Sequence, residues 1–230
     1  TGQVLYSVSH AHDCTSVGGW PEYNPQRIQR ALAETTYPTG TDPMPPSNNS
    51  NYSGQPVPSL LHWYPNIAMG TFTGQYQGAW AVTGNSQYIV LGGEFPRVNG
   101  VSQQGLTRFA VRSIAANNQG PIASELGTPN ATGLPGGRIR VTWQTTWDRD
   151  NNRLTYEVLR DNSNTPIGTV QVASTWWEMP TASFIDSTAS PNESHTYRIR
   201  VKDAFGNTVT SGTSNSATPG AGTPSPYSNE

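Results

Sequence analysis

The sequence predicts an all-β protein, and three observations carry that prediction. The 230 residues include 23 glycines and 19 prolines, about 18 % against roughly 12 % in an average protein, so the chain is rich in turns. Charged residues are 12 % while aromatic residues reach 10 %, with 7 Trp, 10 Tyr and 5 Phe. A chain of low net charge with this many aromatics can bury a core and is not disordered. The apolar residues fall in short alternating or continuous runs between turn signals, and helical spacing is almost absent. The formal charge of −2 excludes nucleic acid as a main partner, because phosphate binding needs a basic patch. No segment approaches the 18 or so apolar residues of a membrane-spanning helix.

Taken in order, Val4, Tyr6 and Val8 alternate with Leu5 and Ser7 and predict a first strand. Residues 25–36 place Ile28, Ala31 and Leu32 on one helical face, but Pro38 and the flanking runs favour a strand. Residues 37–58, with Asp42-Pro43-Met44-Pro45-Pro46 and Ser47-Asn48-Asn49-Ser50-Asn51, read as a long surface loop. Tyr88 to Leu91 is a continuous strand closed by Gly92-Gly93, and Leu106 to Val111 is another. A weak repeat links the two pieces. Tyr6 to His10 aligns with Ile89 to Gly93, and Arg30 to Ala33 aligns with Arg108 to Val111.

The second half is more regular. Ile139, Val141 and Trp143 share one face of a strand, and Tyr156 and Val158 share one face of the next. Ile167 to Val172 and Ser183 to Asp186 follow as further strands. His195 to Asp203 is the cleanest alternation, with Tyr197, Ile199 and Val201 inward, and Thr208 to Ser214 closes the series. Short strands with turns every ten or so residues predict a β-sandwich of about 100 residues. The expected boundary lies in 115–120, giving domains at 1–116 and 117–219 and a Pro/Gly/Ser linker or tail at 220–230. The lack of an initiator Met and of an apolar leader predicts a processed chain or a piece of a longer one. The bias of 12 Arg to one Lys suggests a GC-rich bacterial genome. The single cysteine, Cys14, reads as a buried small hydrophobe or as half of a disulfide to another chain.

The second half resembles a bacterial fibronectin type III domain. The matching residues are Trp143, the run Tyr156 to Asp161, and the run Tyr197 to Asn207, in that order. The resemblance implies an immunoglobulin-like sandwich with these Trp and Tyr residues between its sheets. The first half resembles the end of a β-propeller of secreted actinobacterial surface proteins, on Tyr88 to Gly100 and on Leu106 to Ala110. That resemblance implies propeller-like blades, with Gly93, Gly100 and Gly105 at tight turns. The first copy departs from it, since His10-Ala11-His12-Asp13 stands where Gly-Gly-Glu-Phe stands in the second. Two blades would leave strand edges unpaired, so missing modules of the same chain or another protein chain are expected to cover them.

Three groups are candidates for chemistry. His10, His12 and Asp13 follow a strand, and imidazoles two residues apart on extended chain can share a metal. Cys14 and Thr15 stand where a metallo-β-lactamase-type hydrolase needs Asp and His, so zinc hydrolysis is disfavoured. Asp148, Asp150, Asn152 and Asp203 offer hard oxygen ligands and make calcium the candidate cofactor. The same residue types also dominate plain turns. Trp63, Trp176 and Trp177 are candidate ligand contacts, since an exposed Trp can stack on a sugar; of the adjacent pair, one is expected inside and one outside. No phosphate loop, nucleophile elbow or catalytic carboxylate pair is legible. The sequence therefore predicts a non-catalytic extracellular surface module for adhesion, scaffolding or protein interaction, secreted or on a bacterial cell surface. An accessory, polysaccharide-binding part of a secreted enzyme is the alternative.

Overall fold

The computed structural model describes residues 2–44 and 52–222. Residues 45–51 of the expected surface loop and 223–230 of the expected tail lie outside the described residues. The chain divides into two compact units, 1–116 and 117–230. The all-β prediction holds in both, and the only helical pieces among the described residues are 3-10 turns at Thr15–Val17 and Ala123–Glu125.

The first unit is built on β1 (Val4–Ala11), β2 (Gln29–Thr35), β3 (Gly40–Thr41), β4 (Pro56–Val57), β5 (Ala79–Gly84), β6 (Tyr88–Gly93), β7 (Arg97–Val98), β8 (Val101–Ser102) and β9 (Leu106–Ala110). These make antiparallel sheets β1-β2, β3-β4, β5-β6-β9 and β7-β8. No four-stranded blade forms among the described residues, so the propeller blades implied by the resemblance are not shown. Both copies of the weak repeat do become an antiparallel pair, β1 with β2 and β6 with β9. Their registers differ from the aligned sequences. Val8 faces Ala31, whereas its counterpart Leu91 faces Thr107 rather than Phe109. This slip of two residues keeps the same side chains inward, because a strand repeats every second residue.

Inward-facing Ala31, Ala79, Leu91, Phe95 and Val98 form one core, with Val8, Trp63, Val82, Ile89 and Phe109 packed against it. The run Gly92 to Gly100 is spent on this architecture. Phe95 and Val98 are buried, and Asn99-Gly100 makes the β7–β8 turn with φ of 49° and 82°, the left-handed pair an Asn-Gly hairpin supplies. Gly93 differs from the turn expected there. It sits at the end of β6, where a Cβ would run into the carbonyl of Gly78, so close backbone approach demands glycine. Cys14 is buried, and burial first, then Glu34 and Asp13, pushes its thiol up to about 11. It behaves as the small hydrophobe.

The second unit contains β10 (Asn130–Leu134), β11 (Arg138–Gln144), β12 (Arg153–Arg160), β13 (Pro166–Ala173), β14 (Thr181–Asp186), β15 (Tyr197–Lys202) and β16 (Thr208–Thr210). They form a three-stranded sheet, β10-β11-β14, and a four-stranded sheet, β13-β12-β15-β16. One core joins the two: Ile139, Val141 and Trp143 from the first meet Leu154, Tyr156, Val158, Tyr197, Ile199 and Val201 from the second. This is a β-sandwich. Trp143 and Tyr156 stack at 5.9 Å between ring centroids, and the Tyr156 hydroxyl donates to the Thr146 carbonyl at 2.9 Å. Burying a side chain of this size stabilises by about 1.5–3 kcal/mol, and the paired hydroxyl avoids the cost of a buried polar group.

Candidate interaction surface

Trp63 is half-buried, with Tyr6 and Phe109 edge-on at 5.2 Å on either contact. Trp176 is buried and Trp177 half-buried, their rings perpendicular at 5.4 Å. One of the pair lies inside, and the other is only partly outside.

His10 and His12 have ring centroids 6.1 Å apart, but each is engaged in a different direction. His10 Nδ1 meets Gln77 Oε1 at 3.1 Å, and His12 Nδ1 meets Glu22 Oε2 at 2.8 Å. Asp13 instead accepts from the Thr15 backbone N–H at 2.9 Å and from its hydroxyl at 2.6 Å. Those Thr15 bonds hold the Asp13 carboxyl below its usual range and open the turn at Thr15–Val17.

The calcium candidates behave similarly. Asp148 accepts the Asp150 N–H, Asp150 accepts the Asn117 and Asn151 side-chain amides, and Asn152 gives its backbone carbonyl to Ser174. Asp203 accepts the N–H groups of Phe205 and Asn207 at 2.8 Å and the Asn207 amide at 2.6 Å. Those accepted by Asp148 and Asp203 are local Asx bonds, while Asn117 reaches Asp150 from 33 residues away. Among the described residues no group of three or more His, Cys, Asp or Glu side chains is arranged to hold a metal ion. Asp148 is fully buried, and burial, reinforced by Asp150, raises its carboxyl to about 7.

What the sequence did not single out is the surface of the first unit. Among the described residues, twelve large apolar side chains are exposed in residues 2–116 and one, Ile185, in 117–222. Two features stand out. Phe72 is 95 % exposed at the tip of a turn closed by the Gly74 N–H on the Thr71 carbonyl. The turn is braced by Glu94, which accepts from the Thr73 N–H at 2.8 Å, the Thr73 hydroxyl and the Gln77 N–H at 3.1 Å. The Thr73 bond leads the groups that hold the Glu94 carboxyl below its usual range. Phe72 and the surrounding turn fall outside every alternating run, so periodicity could not find them; the Glu94 after Gly-Gly was the available signal.

The second feature is the outer face of β5-β6-β9. Gly92 lies between Ala81 and Leu106, and Val90 between Thr83 and Arg108. Leu106 is 64 % exposed. The Arg108 guanidinium lies 4.7 Å from the centroid of the Tyr88 ring, a cation–π contact that holds its charge over the sheet. Trp80, the extra residue of a bulge between Ala79 and Ala81, is 52 % exposed.

No family model matches the chain, and no curated protein matches it. Among solved structures, it is similar to the FN1–FN3 domains of chicken CNTN1, at TM-score 0.34 and 11 % identity over 85 % of this chain. The chain spans 63 % of that chicken protein's solved length. It is also similar to the human OSCAR ligand-binding domain, at TM-score 0.29 and 16 % identity, covering 57 % of this chain and 89 % of that one. No helix among the described residues is long and apolar enough to cross a membrane.

Proposed function

We propose that this protein is a non-catalytic interaction module that works outside the cell, with its second unit a fibronectin type III-like spacer and its first unit, derived from propeller-like repeats, the part that meets other proteins. The observation that carries the reading is the concentration of exposed apolar side chains on residues 2–116. Exposed apolar patches rimmed by polar groups mark interaction sites, and aromatic anchors contribute most to such contacts. The Glu94 clamp on the Phe72 turn supports it further, since a pre-ordered anchor loses little freedom on binding. The metal candidates lend no support to a hydrolytic reading, since His10 bonds Gln77, His12 bonds Glu22 and Asp13 bonds Thr15.

The test is affinity capture on the full chain followed by reconstitution with the purified captured protein. Wild type is expected to bind it, and Phe72→Ser combined with Trp80→Ser is expected to weaken binding at least tenfold or so. Saturable quenching of Trp fluorescence by soluble xylan, cellulose or chitin oligosaccharides, with no protein that reconstitutes, would overturn the reading in favour of a glycan-binding accessory module.

A further inference from the structure

The register of β6 and β9 determines which backbone groups of β9 are spoken for. The Val111 N–H donates to the Gln87 carbonyl, and the Gly93 N–H to the Gly105 carbonyl, each at 2.8–2.9 Å. Directly opposed residues that exchange such bonds alternate with pairs that exchange none. The bonded pairs are therefore Ile89 with Phe109 and Leu91 with Thr107, and the pairs Tyr88–Ala110, Val90–Arg108 and Gly92–Leu106 exchange none. It follows that Leu106, Arg108 and Ala110 turn their N–H and C=O groups away from β6. β9 ends its sheet, and no strand or bridge pairs with its far side among the described residues. It contains no proline, and its pairing with β6 runs through all five residues without a bulge. Proline and bulges are two of the devices by which proteins blunt an edge, and β9 has neither; the one charge along it is Arg108.

The side chains of the same three residues lie on the outer face, where Leu106 and Arg108 are exposed. Arg108 has no carboxylate partner among the described residues. A second copy is a poor occupant, since two β9 strands paired antiparallel about their centres would set Arg108 against Arg108, and like charges directly opposed across strands repel. An acidic residue opposite Arg108, flanked two positions either side by apolar residues over Leu106 and Ala110, satisfies both the backbone and the faces.

We propose that β9 is a strand-addition site for an extended segment of another protein, carrying Glu or Asp opposite Arg108 and apolar residues two positions to either side. The proposal rests on the interaction-module reading and specifies its partner's chemistry. Main-chain bonds supply the affinity in this mode, and the alternate side chains supply the choice of partner.

The test uses the full chain and a capped peptide, Ser-Val-Thr-Glu-Thr-Val-Ser, with a twin carrying Lys in place of Glu, titrated against the backbone amide resonances. The expected result is protection and shift of the Leu106, Arg108 and Ala110 amides. The Glu peptide should bind about tenfold tighter than the Lys peptide, the span of opposite against like cross-strand charges, and Arg108→Glu should reverse that order. Ala110→Pro removes an outward N–H without touching the β6 ladder and should abolish binding while leaving the other amides in place. Unshifted amides at these three positions at millimolar peptide, or the same preference in Arg108→Glu, would overturn the site. Protection of these amides in a peptide-free dimer would overturn it in favour of a second copy. Peptide-induced shifts elsewhere would also remove this site, while the capture experiment with Phe72→Ser and Trp80→Ser would still decide the broader reading.

Discussion

In the sandwich, the outer strand β10 has both backbone groups of Ala131 taken by Asn215, whose carbonyl accepts the N–H at 2.9 Å and whose amide donates to the C=O at 2.8 Å. Its counterpart at the other sheet, β13, starts at Pro166 and pairs with β12 across an irregularity at Val158/Leu159. In the first unit β9 has a regular ladder on one side and bare backbone on the other. The cores differ in the same sense. Trp143, Tyr156, Tyr197 and seven Val, Leu and Ile side chains are fully buried in the second unit, against the large side chains of Trp20, Phe95 and Leu91 in the first. Among the described residues the second unit exposes one large apolar side chain and the first exposes twelve, beside an edge strand, β9, that has neither proline nor bulge.

Predictions that sharpen this contrast run from the core outward. Trp143→Ala should cost about 3–5 kcal/mol in chemical denaturation of the full chain, read on the transition that carries the sandwich. Loss of less than half that would mean the core is slack and the contrast false.

Next is Asp186, buried where the Tyr197 hydroxyl donates at 2.9 Å, Arg160 at 3.1 Å and the Thr188 hydroxyl at 2.7 Å. Burial raises its carboxyl, but the Thr188, Tyr197 and Arg160 groups together outweigh it, and the net shift is downward. A lowered folded-state value contributes stability that is full above the unfolded value near 4 and is lost as pH falls through the folded one. Asp186→Asn should therefore destabilise by about 1.5–3 kcal/mol at neutral pH and lose that difference from wild type progressively as pH falls below the ordinary carboxylate range. A pH-independent difference would contradict the assignment.

Asp148 has the opposite sign. Its raised carboxyl favours the proton in the folded state, so it adds stability below the unfolded value near 4 that fades as pH rises through about 7. Asp148→Asn should flatten the fall in sandwich stability between about pH 4 and 7, whose slope for one proton is at most about 1.4 kcal/mol per pH unit. An unchanged slope in thermal or urea melts would remove Asp148 as its source.

The smallest effect belongs to the first unit. Leu106→Asp on the exposed face should change stability by less than about 0.5 kcal/mol while weakening any partner held at β9. A large loss of stability would show that this face is already packed.

The strands of the sandwich were legible because one face is buried and the other is not. Ile139, Val141 and Trp143, and Tyr197, Ile199 and Val201, are all buried at alternate positions as the pattern implied. β12 is the exception. Glu157 and Leu159 are buried as well as Tyr156 and Val158, and Glu157 is held by Arg200 and Lys202 of β15. Such a charge cluster exists only once strands are registered. β10 and β5 carry no alternation, since Gly133, Gly84 and the Trp80 bulge interrupt it. Asp and Asn serve turns and cations alike, and the hydrogen bonds to Asn117, Asn207 and Thr15 depend on positions that a linear sequence does not contain. The open side of β9 is a property of neighbours that a single strand's sequence does not contain.

The most direct measurement of the contrast is residue-resolved hydrogen exchange on the free full chain, along β9 and β10. The account predicts slow exchange at Thr107 and Phe109, fast exchange at Leu106, Arg108 and Ala110, and protection of Ala131 in β10 by Asn215. Uniformly slow exchange across Leu106 to Ala110 would mean that the edge is already paired, and would contradict it.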